Sequence, residues 1–333
     1  MKEDMPLSFT VKIDFDKIIL TTKKKLPIPL NDKFTVFLND RKIYLPSDKQ
    51  INSYKELYYK LKNHGKIEYP KNEDYISELF NLLANISKDI MLGEGVKKLC
   101  RNYYKVKLFF KNENNNIKCK VTINYFGKII NILDKNIDYF LRDNNFEEEI
   151  SMKLERYGFI KRENEFLFIG NDEEYYDFLT NGLKFFERFS ILEFSNSFNK
   201  INLIDSNYID AVFEEKDEQL KFKYNIDGLE YSEYINVLQA LEDNRDFYKT
   251  KNGRLLNLRD LGIANLFNII DNLICNQEIY DGEIEVDKSK AIFIDNNIEN
   301  YNLNFIRGSE NLKVVSKRLQ NRAIEEVNIL NYQ

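Results

Sequence analysis

The chain has 333 residues, of which 43% are hydrophobic and 31% charged, with only 12 glycines and 5 prolines. This composition excludes a disordered chain, and at ~150 residues per domain the length predicts two domains. The net charge of -5 excludes general attraction to nucleic acid or anionic lipid, so any such contact requires a local basic patch.

The thiols and the N-terminus bear on the cellular compartment. Cys100, Cys119 and Cys275 are widely spaced and odd in number, which is typical of reduced thiols rather than of a disulfide framework. The N-terminus lacks the apolar segment of a signal peptide, and no stretch reaches the ~18 apolar residues of a membrane helix. We therefore expect a cytoplasmic protein that does not contact a membrane.

Strands and helices alternate in the first part of the chain. Apolar alternation predicts strands over 9–15 and 18–22 and a hairpin with arms at 34–38 and 42–45. Ser47 and Gln50 have the spacing of a capping box at the start of a helix that ends at Gly65. Apolar residues at helical spacing predict a longer helix over 73–92, terminated by Gly93.

The sequence becomes polar at 134–136, after a hairpin predicted from strands at 105–110 and 117–125. We place a domain boundary there, which gives an N-terminal subdomain over 1–135 and a C-terminal subdomain over 136–333.

Hairpins and helices continue to alternate downstream. Hairpins are predicted over 159–169, over 208–226 and around Asn252-Gly253, and helices before Gly158, over 172–186, from Ser232 and over 309–325. Strands that pair with their neighbours in sequence favour antiparallel sheets. The fold class is therefore α+β, with antiparallel β-hairpins alternating with short helices in two packed subdomains.

No motif for catalysis is present. The pattern GxxxxGK[ST] is absent, and Gly65-Lys66 and Gly127-Lys128 lack both the upstream glycine and the following hydroxyl residue. His64 is the only histidine, so it builds neither a catalytic triad nor a typical zinc site. We predict no catalytic residue, no metal and no cofactor. An enzyme that uses a carboxylate cluster is the weakest alternative, resting only on the 54 acidic residues.

Basic residues form three clusters, at 23–25, at 97–101 and on the predicted last helix. The third cluster consists of Lys313, Lys317, Arg318 and Arg322. Its members recur four residues apart, beside apolar positions at Leu312, Val315 and Leu319, so they form one basic helix face. Such a face is commonly only solvated, and the functional interpretation is contact with nucleic acid phosphates.

A series of motifs resembles the region that precedes the ATPase motor in bacterial Swi/Snf-type helicases. In the second half the motifs are Arg142-Asp143 with Glu147-Glu148, LERYGF at 154–159, DEEYYDFLTNGL at 172–183, FSNSF at 194–198, Ile226 with Asp227-Gly228, FYKTKNGRLLNL at 247–258 and DKSKAIFID at 287–295. RKIYLP at 41–46 and the segment 105–125 are similar to the upstream part of that region. The order and spacing of the motifs carry the resemblance, which spans nearly the whole chain.

The resemblance implies a non-catalytic accessory region of a DNA helicase or translocase, with the ATPase motor as its partner in cis or in trans. ILNYQ at 329–333 is similar to the start of that motor, where a glutamine helps to recognise adenine, so the resemblance assigns nucleotide contact to Gln333. It also implies a fragment of a longer protein or a subunit whose motor lies on another chain. The alternative from a different class is a stand-alone protein–protein interaction module without a motor.

Overall fold

The computed structural model describes residues 2–113, 116–199, 203–216, 219–274, 282–301 and 303–330. The chain divides into two compact units, Met1–Phe198 and Asn199–Gln333, and each has its own hydrophobic core. The division expected after residue 135 falls inside the first unit. Strands that precede residue 135 in the chain pair with strands that follow it, in one sheet. The polar segment at 134–136 is therefore a loop within the first unit.

The first unit begins with two sheets and three helices. The elements are β1 Ser8–Asp14, β2 Lys17–Thr22, β3 Ile28–Pro29, β4 Phe37–Asn39, β5 Lys42–Tyr44, α1 Asp48–His64, β6 Lys66–Pro70, α2 Glu73–Ile86, β7 Asp89–Leu92 and α3 Val96–Arg101. One sheet has the order β6-β2-β1-β7, in which β1 and β7 are parallel, and the other has the order β3-β4-β5. Helices α1 and α2 contact each other and bury their apolar faces.

Two local predictions in this segment are wrong. The helix predicted over 73–92 ends at Ile86, and residues 89–92 form β7 instead. Ser87 leaves the helical conformation and donates its hydroxyl to the carbonyl of Leu7 at 2.6 Å, which directs the chain alongside β1. Ser47 does cap α1, but the Gln50 side chain does not complete a capping box, because its amide bonds the backbone of Met5.

A mixed sheet and the helices around it complete the first unit. The elements are β8 Lys105–Glu113, β9 Asn116–Tyr125, β10 Lys128–Asn131, α4 Asn144–Glu155, β11 Phe159–Arg162, β12 Glu165–Phe168, α5 Asp172–Asp177, α6 Leu183–Glu187, β13 Ile191–Phe194 and α7 Asn196–Asn199. The sheet has the order β11-β12-β9-β8-β13, with β10 also paired to β9, and only β13 is parallel to its neighbour. A π-helical segment, Phe178–Gly182, joins α5 to α6.

The second unit is built on a four-stranded sheet. Its elements are β14 Ile209–Lys216, β15 Gln219–Ile226, α8 Tyr234–Glu242, β16 Phe247–Lys249, β17 Leu255–Asn257, α9 Leu261–Leu273, β18 Glu283–Val286, α10 Ala291–Asn300, β19 Ile306–Arg307 and α11 Ser309–Leu330. The sheet order is β18-β15-β14-β19, and β16 and β17 form a separate hairpin. Both units combine helices with mostly antiparallel sheets, which confirms the α+β class.

Candidate nucleic-acid interface

The motif Arg142-Asp143 followed by Glu147 builds a buried polar network. The Arg142 guanidinium donates to both carboxylate oxygens of Glu147 and to the backbone carbonyls of Ile132, Asp134 and Ile137. The hydroxyl of Tyr125 donates to the same carboxylate at 2.7 Å. These bonds attach the loop before α4 to the sheet, so the motif stabilises the first unit.

Asp143 holds the start of α4. It accepts the backbone N–H of Phe146 as helix cap and a bidentate pair of bonds from Arg101 at 2.7 and 3.1 Å. Burial raises the pKa of Asp143, but the bonds from Arg101 and from the Phe146 N–H outweigh burial, so its pKa lies below the ordinary value. The carboxylate is therefore a charged structural group at neutral pH.

The motifs at 226–228 and 247–258 meet in the second unit. Gly228 has φ +91°, and the Arg254 guanidinium packs against it and lies over the ring of Tyr208 at 4.9 Å. The fully buried carboxylate of Glu233 accepts bonds from the Tyr248 hydroxyl and the Lys251 backbone N–H. These residues position the β16–β17 hairpin.

The remaining motifs of the first unit are also structural. Asn171 and Glu174 form a reciprocal capping box at the start of α5, and Gly182 lets the ring of Tyr157 approach the helix closely. Phe194 and Phe198 of FSNSF stack with ring centroids 5.2 Å apart. These motifs thus organise the core of the first unit.

The two cysteines of the first unit are buried in its core, and its histidine is exposed to solvent. Cys100 and Cys119 are buried, and burial raises the pKa of Cys100 to about 12 and that of Cys119 well above its ordinary value. His64 is exposed at the end of α1. Across the described ranges of the chain, no group of three or more His, Cys, Asp or Glu side chains is placed to hold a metal ion.

The predicted basic face of α11 divides into paired and unpaired cations. Lys313 is half-buried and pairs with Glu299 of α10 at 2.7 Å, which raises the pKa of the lysine. Lys317 and Arg318 are exposed, and neither has an ion pair among the described residues. The helix packs through Leu312 and Val315, as predicted. The side chain of Arg322 and all of Gln333 lie outside the described residues.

A second basic surface, which was not predicted from the sequence, lies on the β8–β9 hairpin. Strand alternation directs the buried residues of both strands into the core and leaves the intervening positions on the opposite face. We call this the open sheet face. Its residues are Lys107, Phe109, Lys111 and Glu113 of β8, Lys118 and Lys120 of β9, Arg162 of β11, Glu165 and Leu167 of β12, and Glu193 of β13.

A concavity of about 540 Å³ opens on this face between β9 and the β11–β12 hairpin. Three cations, Lys118, Lys120 and Arg162, and two acids, Glu163 and Glu165, line it. The rest of the lining consists of Asn116, Asn164, Phe166 and Leu167. Its volume lies within the range of small-molecule and nucleotide pockets.

Exposed aliphatic side chains mark the three-stranded sheet of the first unit. Ile28 pairs with Leu38, and Leu38 pairs with Ile43, so the three form a row across the strands. Leu30 and Leu45 are also exposed and follow Ile28 and Ile43 by two residues, and Ile43 is 61% exposed. We call these five residues the aliphatic patch. Adjacent apolar side chains in solvent are typical of a protein-binding surface.

Each of the two units has an α+β fold, with helices packed on mostly antiparallel sheets. The family model described as bacterial SNF2 helicase associated matches residues 1–329, so the chain belongs to that family. Comparison with curated proteins and with solved structures gave no match. None of the described helices is long and apolar enough to span a membrane.

Proposed function

We propose that the chain is the non-catalytic accessory region of a bacterial Swi/Snf-type DNA helicase or translocase, which docks against the ATPase motor and contacts DNA. Family membership over residues 1–329 is the observation that carries this proposal. The absence of a GxxxxGK[ST] pattern from the sequence supports a non-catalytic role. ATP hydrolysis by the purified chain, above that of a denatured control, would contradict it.

Contact with DNA is proposed through Lys317 and Arg318, with Lys313 and Arg322 on the same helix. The exposure of the first two supports this role, because an exposed cation can meet a phosphate without losing an existing ion pair. Lys313 would have to exchange its bond with Glu299, so we expect it to contribute less. We extend the proposal to adenine contact by Gln333 when a motor is present.

The test is fluorescence anisotropy of labelled duplex DNA at low and at physiological salt. The double variant Lys317→Glu, Arg318→Glu is expected to abolish salt-sensitive binding, because phosphate contacts dominate non-specific affinity. The control is Lys49→Glu with Lys60→Glu, two exposed lysines of α1 whose reversal changes the net charge equally. Equal affinity of both double variants would exclude α11 as the contact.

The second candidate is a stand-alone protein–protein interaction module, and the aliphatic patch is the observation that favours it. Ile43→Lys places a charge within the patch at an exposed position, so it should leave folding intact. Under the leading proposal the wild-type chain co-elutes with a separately produced family motor in size-exclusion chromatography. No complex with the motor, at concentrations where the chain is folded, would favour the stand-alone module.

A further inference from the structure

We propose that the open sheet face of the first unit binds single-stranded nucleic acid, with phosphates on its cations and a base stacked on Phe109. This site lies in the other unit from α11, and the inference does not rest on contact through that helix. Three features of the open sheet face support it: the net charge, an aromatic ring and a concavity.

Charge on this face is opposite in sign to that of the whole chain. The face carries the cations Lys107, Lys111, Lys118, Lys120 and Arg162 and the acids Glu113, Glu165 and Glu193. Glu193 pairs with Lys107 at 2.6 Å and Glu165 pairs with Lys111 at 3.0 Å. Glu113 pairs with Lys118 at 2.5 Å and with Lys111 at 3.6 Å. Lys120 and Arg162 are exposed and have no ion pair within the described part of the chain. A local excess of cations on a chain of net charge -5 favours a polyanion as the occupant.

The ring of Phe109 indicates which kind of polyanion the open sheet face binds. Its half-buried ring lies between Lys107 and Lys111 on β8, opposite Lys120 on β9. It makes no ring contact with another described aromatic side chain, whereas its neighbour Phe110 packs against other rings in the core. Single-strand binding surfaces combine such rings with cations, because unpaired bases stack on aromatic side chains. The bases of a duplex already stack on one another, and an acidic peptide has no base. Neither ligand would therefore stack a base on the Phe109 ring.

The concavity supplies the remaining features that a nucleotide requires. Lys120 and Arg162, the cations without ion pairs in the described ranges, both line it, and Leu167 provides an apolar surface. The side-chain amides of Asn116 and Asn164 combine donors and acceptors, which suit the edges of a base. Phe109 lies beside this concavity, because it pairs directly with Lys120 across the strands. Phosphate and base contacts therefore meet on one face.

The experiment measures anisotropy of a labelled oligothymidylate of about 12 nucleotides, a length within the range for one binding module, using the full chain. Phe109→Leu removes the ring and keeps an apolar side chain, and we expect affinity to fall roughly 5- to 100-fold. Phe109→Tyr retains the ring and should bind like the wild type, which separates stacking from any effect on folding. Unchanged affinity in Phe109→Leu overturns the inference.

The cations are tested by salt dependence. Lys120→Gln with Arg162→Gln removes two phosphate contacts, so the slope of log affinity against log salt should shrink by about 1.4, at ~0.7 per contact on a single strand. Lys49→Gln with Lys60→Gln is the matched control and should leave the slope unchanged. An unchanged slope in the Lys120/Arg162 variant overturns the inference.

The same titration separates this inference from the proposed function. Loss of oligothymidylate binding only in Lys317→Gln with Arg318→Gln would support α11 and overturn the open sheet face. Loss in the Lys120/Arg162 variant, with binding retained in the α11 variant, supports the open sheet face even if α11 contacts no DNA. Displacement of the oligonucleotide by polyglutamate, together with no effect of Phe109→Leu, would assign the face to an acidic protein and overturn the inference.

Discussion

The guanidinium of Arg254 occupies the space that a side chain at Gly228 would need. A β-carbon at position 228 would lie 2.2 Å from Arg254 Nη1. The backbone of Gly228 is also left-handed, with φ +91°, a conformation that costs other residues free energy. The glycine in this family motif is thus explained by two independent requirements, which an unfolding experiment can separate.

Gly228→Ala should lower the free energy of unfolding by about 2–4 kcal/mol, since backbone strain and the clash with Arg254 add. Gly253→Ala is the matched control, because that glycine also has positive φ but a β-carbon added there would have no other atom within 4 Å. Gly253→Ala should lower the free energy of unfolding by only about 1 kcal/mol. Urea unfolding measures both, and equal losses would show that Arg254 moves aside freely.

Breaking the buried pair Arg142–Glu147 should destabilise the first unit strongly. Arg142→Ala leaves the carboxylate of Glu147 with only the Tyr125 hydroxyl, and an uncompensated buried charge costs about 3–5 kcal/mol. The control is Glu148→Ala, which removes the largely exposed pair with Lys161 and should cost at most about 1 kcal/mol. Similar unfolding midpoints for the two variants would contradict the structural role of this motif.

Asp143 should make the first unit sensitive to acid. Because its pKa is lower in the folded state, its charge stabilises the fold above the unfolded value of about 3.9, and this contribution is lost as pH falls through the folded pKa. Asp143→Asn can still cap α4 but cannot pair with Arg101 as an anion. The difference in unfolding free energy between wild type and variant should therefore be largest near neutral pH and shrink below about pH 4. A difference that stays constant down to about pH 2 would contradict this.

Cys100 and Cys119 should resist thiol reagents in the folded protein. Both are buried with raised pKa values, so little thiolate is present or accessible at about pH 8. A Cys275→Ser variant, treated with an aromatic disulfide reagent, should react only after urea is added. Fast reaction without urea would show that the core around these thiols opens readily.

Local signals in the sequence were sufficient for most hairpins. The turn at Glu163–Asn164 and the turn at Asn252–Gly253 join strands as predicted, because the turn residues and the apolar alternation act over a few residues. The end of α2 was misplaced, since Ile90 fits helical spacing equally well and only pairing with β1 makes its segment a strand. Such pairing depends on residues far away in the sequence.

Only part of each candidate site could be predicted from the sequence. Helical spacing correctly indicated that Leu312 and Val315 face the core and that Lys317 and Arg318 do not. The partner of Lys313 was missed because Glu299 belongs to α10, a helix that had not been predicted. Lysines alternate with apolar residues along β8 and β9, but that pattern fits any solvated sheet face equally well. Only the pairing of β9 with β12 brings Arg162 and Leu167 to the same face.

The parallel pairing of β13 with β8 has a consequence for synthesis on the ribosome. Ile191–Phe194 must be translated before the large sheet of the first unit can close, although its partner strand begins at Lys105. All strands of this sheet nevertheless precede residue 199, so the first unit can complete its hydrogen bonding while the second is still emerging. Vectorial synthesis thus allows the two cores to form one after the other, which limits mispairing between their strands.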